Sequence, residues 1–411
     1  MSSQAAGTAV VFDPYSEDFW NGAYDTFRRL RDEAPVYRNE RRDFYALSRF
    51  DDVHEALRDH ATYSSASGIM LNQLTTPGFK SERDFPGFVI GTDPPLHTQL
   101  RGLVSRSFSA RAVANLEDAV RRSVRAHMDR IEALPEFDLC ADFADRVPAD
   151  VMYDLMGVPE EDRDRIFGYN EDFNDVGDPS AEGTPASERH LSGQQNMVQY
   201  VIELAERKRA EPRDDLISEI ITKSIDRPGA HSGPLDPMEL GGFLLTVLGA
   251  GVETTTKMMA NIIVAFHRHP AEWQKVLDDP AKIPAAVEEI GRYQPPIHLM
   301  GRRTTREVNL HGVTIPQGAN VLLLLGAANR DERVFPEPDI FDIDRLMARP
   351  PVTFGFGIHL CVGAALARQE VVIAVEEIRR RWPKFSIDEG NLKMARNFNT
   401  VGYTSVPMNV E

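Results

Sequence analysis

Residues 354–363 read Phe354-Gly355-Phe356-Gly357-Ile358-His359-Leu360-Cys361-Val362-Gly363, and Ala364-Ala365-Leu366-Ala367 follows. Two closely spaced glycines give a backbone that turns tightly and that other groups can approach closely. The alanine-rich run then begins a helix. A cysteine at such a helix start faces the positive end of the dipole and free backbone N–H groups, which favour thiolate over thiol. The competing reading is a small buried hydrophobe, the common fate of a lone cysteine. That reading suits Cys140, in Phe137-Asp138-Leu139-Cys140. At Cys361 the surrounding glycines and His359 reverse the preference.

Cys140 and Cys361 are the only cysteines among 411 residues. They allow no disulfide framework of the small secreted type, and no cysteine cluster for structural zinc or an iron–sulfur centre. With 42% hydrophobic residues the chain can build a large core, and its length alone would suggest two domains. Lys+Arg number 46 and Asp+Glu 63, so the formal net charge is −17. Binding to DNA phosphates needs basic side chains that displace counterions, so nucleic acid is not an expected partner. The start, Met1-Ser2-Ser3-Gln4, does not read as a signal peptide. The nearly uncharged apolar stretches around 241–251 and 321–328 fall short of the ~20 residues of a membrane helix. A soluble cytoplasmic protein without a membrane anchor is expected.

Apolar spacing predicts helices over 110–133, 197–209, 236–268, 283–293 and 363–381. Strand-like stretches are short: Val36–Leu47, Val308–Ile315, Ala319–Leu325 and the tail from Phe385. Strand and helix do not alternate regularly, which argues against Rossmann and barrel folds. Ser64–Thr92 and Asp175–Ser192 read as long loops. The first carries Ile69, Met70, Leu71, Phe79, Phe85 and Phe88, and is either one wall of a hydrophobic pocket or a loop pinned to the core.

Three further segments matter. Glu289 and Arg292 share one helix face, near an end that Pro295-Pro296 stops; alone they read as an exposed ion pair. From Asp236 to about His267, a helix of roughly thirty residues would span on the order of 45 Å. Asp236, Pro237 and Glu239 supply its cap, first-turn residue and capping-box partner. At its centre stand Gly249-Ala250-Gly251-Val252-Glu253-Thr254-Thr255. Mid-helix glycines cost stability. The reason is either close helix–helix packing or a flat cofactor and small ligand against that face, with a local bulge. In Asp93-Pro94-Pro95-Leu96-His97, followed by Arg101, the histidine and arginine share a helix face.

Residues 354–363 resemble the cysteine-ligand loop of the cytochrome P-450 superfamily, with Phe354, Gly357, His359, Cys361 and Gly363 at its fixed positions. Glu253-Thr254 resembles the acid–alcohol pair of the superfamily's central helix, where some relatives carry Asp as the acid. Glu289 and Arg292, with Arg345 closing Phe341-Asp342-Ile343-Asp344-Arg345, resemble its structural lock of one carboxylate between two guanidinium groups. His97 and Arg101 look like its propionate-binding pair. Arg302, next to Arg303, resembles a third propionate contact and His359 a fourth. Ala328-Asn329-Arg330-Asp331 also fits the pattern. The resemblance runs from about residue 10 to the C-terminus. It implies a single domain over 1–411, mainly α with small β-sheets (α+β): a triangular haem-thiolate domain with a long central helix.

The implied cofactor is haem b, with Cys361 as axial iron ligand and Phe354, Gly357 and Ala250 against it. No Cys-x-x-Cys-His is present for covalent attachment. The implied activity is a monooxygenase that inserts one oxygen atom of O2 into a hydrophobic small molecule, by hydroxylation or a related oxidation. Thr254 would hold a water and Glu253 would relay protons. NAD(P)H-derived electrons would come through a separate ferredoxin and its reductase. Arg345, Arg349, Arg368 and Arg379–Arg381 form either a patch that steers an acidic ferredoxin or solvated cations near a helix end. By position, the resemblance puts Thr246, Ala250, Ile297, His298, Met300 and the tail Phe398–Tyr403, Val401 included, near the substrate pocket. Ser64–Thr92 and the 167–196 region would be its lid. His298 is either a polar anchor or a histidine directed outward or bonded to backbone. The expected state is a monomer. Alternatives are a haem-thiolate peroxygenase or decarboxylase using H2O2, against which Glu253-Thr254 argues, and a non-catalytic haem sensor or carrier.

Overall fold

Asp236 and Glu239 cap one another. Asp236 Oδ1 accepts from the Glu239 N–H at 2.9 Å, and Glu239 Oε2 accepts from the Asp236 N–H at 2.9 Å. This box, with Pro237 in the first turn, starts a central helix of 32 residues, Pro237–Arg268. In a computed structural model that describes residues 9–132, 134, 136–175, 187–226, 232–397 and 399–410, this helix crosses the molecule. It is apolar nearly all round because other helices cover it: Arg146–Met156, Glu188–Ala210, Ile283–Tyr293 and Ala364–Arg381.

The helix runs unbroken through its glycines, so the expected local bulge is absent. The one π-helical turn among the described residues lies at Cys140–Ala144 instead. The two glycines have different causes. A Cβ on Gly251 would lie 2.9 Å from Met152 Sδ, so this glycine admits the Arg146–Met156 helix. A Cβ on Gly249 would meet nothing closer than the Phe173 ring at 3.7 Å.

The sheets are small, as expected. Five strands order as Val36–Asn39, Phe44–Leu47, Asn320–Leu323, Met300–Thr304 and Tyr63–Ser64. Phe44–Leu47 and Asn320–Leu323 are parallel and the other pairs antiparallel. Asn320–Leu323 is buried along its whole length, which suits its run of β-branched and aliphatic residues. A three-stranded sheet joins Phe137–Asp138, Pro407–Val410 and Phe385–Ile387.

Several expected boundaries move. The 110–133 helix divides at Asn115–Leu116 into Ala110–Ala114 and Glu117–Ile131. Val36–Leu47 is a hairpin, not one strand. Ser64–Thr92 is no plain loop, since Leu71–Thr75, Ser81–Asp84 and Val89–Gly91 are helical turns. Ile69, Leu71 and Phe88 are buried, which pins the segment to the core. Of Asp175–Ser192, residues 176–186 lie outside the described residues, and a helix has begun by Glu188.

Candidate active site

Glu289 and Arg292 are buried, at 1% and 0% side-chain exposure, so the pair is not the exposed one their spacing alone suggests. Arg292 donates from Nε and Nη2 to the two Glu289 oxygens at 2.8 and 2.7 Å. Arg345 Nε donates to Glu289 Oε1 at 3.1 Å. The remaining Arg292 donors reach the carbonyls of Asn329, Pro338 and Ile340. A buried ion pair is tolerable only when its other hydrogen-bonding capacity is met in this way.

Asn329 carries the link onward. Its Oδ1 accepts from the Val352 N–H at 2.7 Å, and its Nδ2 donates to Thr353 Oγ1 at 3.1 Å. Thr353 Oγ1 donates to Gly291 O at 2.7 Å. Val352–Phe354 is the turn that opens the cysteine loop, so the helix Ile283–Tyr293 is bolted to that loop. Gly357 then combines a φ of +70° with a close approach, since a Cβ there would lie 2.7 Å from Leu57 O. The Cys361 N–H donates to Phe354 O at 2.8 Å and closes the turn.

Cys361 is exposed by surface area yet surrounded by protein atoms, the condition of a side chain facing an internal recess. Burial pushes its thiol up; the Gly363 N–H, Arg101 and Arg368 oppose this. Burial therefore opposes the effect expected of a helix start, and the helix itself begins three residues later, at Ala364. Metal coordination deprotonates a thiol outright and would override that balance.

His97, Arg101, Arg302 and His359 gather on one side of Cys361. The two imidazoles lie 4.4 Å apart between ring centres, edge to face. Ser65 Oγ lies 3.2 Å from His359 Nε2. Burial and the charges of Arg302, His97 and Arg101 hold His359 far below its ordinary value. Burial takes His97 down to about 4, helped by Arg101, and takes Arg302 down to about 10. Arg302 donates to Gly301 O at 2.7 Å, and among the described residues neither it nor Arg101 has a carboxylate in an ion pair. Arg303, the neighbouring candidate, is directed away, to Leu74 O and Asn320 Oδ1.

On the central helix, the stretch Gly249–Gly251, with Glu253 and Thr254, breaks an otherwise buried run, and Ala250 is exposed within it. Thr254 Oγ1 donates to Ala250 O at 2.8 Å, which directs its lone pairs away from the helix. Glu253 Oε1 accepts from Asn397 Nδ2 at 3.2 Å and from Thr400 Oγ1 at 3.1 Å.

The family model described as cytochrome P-450 matches residues 183–407. Over 407 residues the chain is 35% identical to cytochrome P-450 130 of Mycobacterium tuberculosis, covering 97% of this chain and 98% of that protein. It is 32% identical to the erythromycin C-12 hydroxylase of Saccharopolyspora erythraea, over 92% of this chain and 91% of the relative. Among solved structures, cytochrome P-450 CYP109Q5 from Chondromyces apiculatus superposes with a TM-score of 0.85 at 30% identity, covering 97% and 98% of the two chains. The chain belongs to the cytochrome P-450 family.

A cytochrome P-450 is a haem monooxygenase that uses O2 and a reductant, and the residues here fit that group. A haem presents an iron to be ligated and two carboxylates to be neutralised. The recess offers one cysteine sulfur and, beside it, two imidazole groups and two guanidinium groups that form no ion pair with a carboxylate among the described residues. On the central helix Ala250 is exposed and Gly249 carries no side chain, so that stretch of helix surface is low. The bound haem supplies the activation of O2, which a thiolate ligand favours by pushing electron density onto iron.

Of the expected pocket residues, Ala250 alone is exposed on the central helix. Thr246 is buried, with its hydroxyl donated to Gly242 O at 2.7 Å. Ile297 and Met300 are half-buried at the sheet edge. Two expectations are corrected. His298 is 0% exposed, its ring enclosed by Phe19, Tyr24 and Phe27, and neither ring nitrogen has a partner. Burial and Arg330 depress it to about 3, so it is a neutral core group and no substrate anchor. Val401 lies wholly buried in the same cluster. Phe398 lies outside the described residues.

The arginine patch is corrected as well. Arg345 belongs to the Glu289 cluster and Arg349 pairs with Asp51. Arg368 pairs with Glu288, Arg380 with Glu377 and Arg381 with Asp129 and Glu132, while Arg379 donates to the carbonyls of Val276 and Leu277. Sequence reasoning missed Asn397, and it placed Thr400 only within the pocket tail and Ser65 only within the lid, not against Glu253 and His359. Each meets its partner across more than a hundred residues, and no local motif marks such a pairing.

Proposed function

We propose that this cytochrome P-450 acts as one haem-b domain over its 411 residues and hydroxylates a hydrophobic small molecule, with NAD(P)H-derived electrons delivered by a separate ferredoxin and reductase. The observation that carries the cofactor assignment is the gathering beside Cys361 of two guanidinium groups, Arg101 and Arg302, and two neutral imidazoles, His97 and His359, that can each donate a hydrogen bond. Two propionates would satisfy it. Cys361 is then the axial ligand, with Phe354 and Gly357 shaping the loop beneath the haem and Ala250 facing it from the other side. Glu289, Arg292 and Arg345 hold the loop in place and take no part in chemistry.

Thr254 is read as the alcohol that orients water at the reacting oxygen, since its own proton is engaged by Ala250 O. Glu253 is read as the acid that brings protons to it. The acid–alcohol pair favours O2-driven turnover over use of H2O2, which needs no proton delivery. Ala250, Ile297 and Met300, with Thr246 at the margin, are read as the substrate side. Their apolar character supports a substrate held by shape and desolvation. The erythromycin C-12 hydroxylase and a polyketide-biosynthesis relative from Bacillus subtilis, 29% identical, support a molecule of natural-product size. No helix among the described residues is long and apolar enough to cross a membrane. The protein is read as a cytoplasmic monomer.

The test is turnover with isotopically labelled O2, a surrogate ferredoxin and reductase, and ligands chosen from a polyketide, steroid and fatty-acid panel by their spin-shift spectra. One labelled oxygen atom in the product is expected. Product that takes its oxygen only from added H2O2 would establish the peroxygenase, and ligand binding without any product would establish the sensor or carrier.

A further inference from the structure

Glu253 and Thr254 are neighbours in sequence but are fixed by different parts of the molecule. Thr254 is held by its own helix, through Ala250 O at 2.8 Å. Glu253 is held by the C-terminal tail, where Asn397 Nδ2 and Thr400 Oγ1 both donate to Oε1, at 3.2 and 3.1 Å. A half-buried glutamate on a helix face has several staggered rotamers open to it. Two donors converging on one oxygen select a single one. Both donors are neutral, so they fix the carboxylate's geometry without placing a full positive charge beside it.

The donors are themselves anchored before they reach Glu253. Asn397 O accepts from Trp20 Nε1 at 3.1 Å, and Trp20 is buried. Thr400 pairs with Ile297 in an antiparallel bridge. On either side of it, His298 N–H donates to Asn399 O and Val401 N–H donates to Pro296 O, both at 2.9 Å. Val401 is sealed in the core beneath. This short stretch of tail is therefore bound to the N-terminal helix Glu17–Trp20 and to residues 296–298, and it presents two donors to the central helix from a rigid support.

We propose that Asn397 and Thr400 are positioning residues for proton delivery: they hold Glu253 in the rotamer from which it serves Thr254, and leave Oε2 to exchange protons. The proposal rests on the reading of Glu253 as the proton-relay acid. It also gives the core positions of Val401 and His298 a purpose, since both belong to the support that aims the two donors.

The test uses the holoenzyme with a surrogate ferredoxin and reductase, following NADPH oxidation in H2O and D2O, and thermal unfolding of the same samples. The variants are E253Q, E253A, T400V, N397A, T400S and the double variant E253A/T400V. E253Q is expected to change the solvent isotope effect on NADPH oxidation, and T400V to change it in the same direction by about half as much or more. N397A should follow T400V, and T400S should match wild type, because serine keeps the donor. The unfolding midpoint of the double variant should fall by less than the sum of the E253A and T400V shifts, since alanine removes the acceptor, valine removes the donor, and both changes therefore remove the same bond. A purely structural tail would lower the midpoint and leave the isotope effect alone. Additive midpoint shifts, or a wild-type isotope effect in T400V while E253Q changes it, would overturn the proposal. An unchanged isotope effect in E253Q itself would overturn the relay reading instead, and the unfolding cycle alone would then decide whether the tail holds Glu253.

Discussion

Thr254 spends its proton on Ala250 O, so what it presents to the recess is an acceptor that can orient a water. Thr254→Ala should therefore keep haem and ligand binding and divert reducing equivalents to peroxide. Peroxide formed per NADPH measures this, and unchanged coupling would remove Thr254 from the proposed role. Glu370 makes a second prediction at this scale. It is buried on the helix that follows the cysteine loop, one of its oxygens has no partner, and burial alone raises it to about 8. Between its ordinary value of 4.5 and about 8 the folded protein keeps a proton that the unfolded chain releases, so stability falls as pH rises through that window. The slope is about 1.4 kcal/mol per pH unit. Glu370→Gln should unfold at a higher temperature than wild type at pH 8, with the gap closing near pH 5; equal gaps at both would contradict the buried-acid account. At this scale the sequence was legible where a motif fixes a residue locally, as at Cys361 and Gly357. It was illegible where the partner lies far along the chain. Spacing could place His298 near the pocket, yet its ring turns into the aromatic cluster of Phe19, Tyr24 and Phe27, which no spacing rule predicts.

Among elements, the connection that matters runs from the helix Ile283–Tyr293 through Asn329 to the turn Val352–Phe354. Removing one partner of its buried ion pair strands the other. Glu289→Gln should cost about 3–5 kcal/mol. Because the strain falls on the cysteine loop, haem should dissociate faster from this variant before global unfolding, as followed by transfer to an apo-acceptor protein. Wild-type haem retention with the same loss of stability would separate the lock from the loop. A second prediction concerns Gly242, where a Cβ would lie 2.0 Å from Pro86 O. Gly242→Ala should push the Pro86 segment off the central helix and raise amide hydrogen exchange over residues 81–90, with the CO-bound absorption band unchanged. Unaltered exchange would mean that this segment is not clamped there. The long helices were legible because their caps and apolar periodicity agree, as in Asp236 to Arg268. The Ser64–Thr92 segment was not, because its helical turns are only three to five residues long and are set by tertiary contacts.

For the whole molecule, a net charge of −17 goes with carboxylates that pair five of the six arginines of the expected local patch, Arg345, Arg349, Arg368, Arg380 and Arg381. Arg368, which pairs with Glu288 and lies 4.2 Å over the Phe354 ring, is the arginine tied most closely to the cysteine loop. If ferredoxin docks over that loop, Arg368→Glu should slow reduction at low salt, and the difference from wild type should shrink as salt screens it. A salt-independent defect would point to damage of the loop. The proposed haem chemistry depends on one ligation, by Cys361. The most direct measurement is the absorption spectrum of the purified protein, reduced with dithionite and exposed to carbon monoxide, for wild type and Cys361→Ala. The account predicts the long-wavelength Soret band of thiolate-ligated haem in the wild type and its loss in the variant. A band at the imidazole-like position in the wild type, or the thiolate band persisting without Cys361, would contradict it.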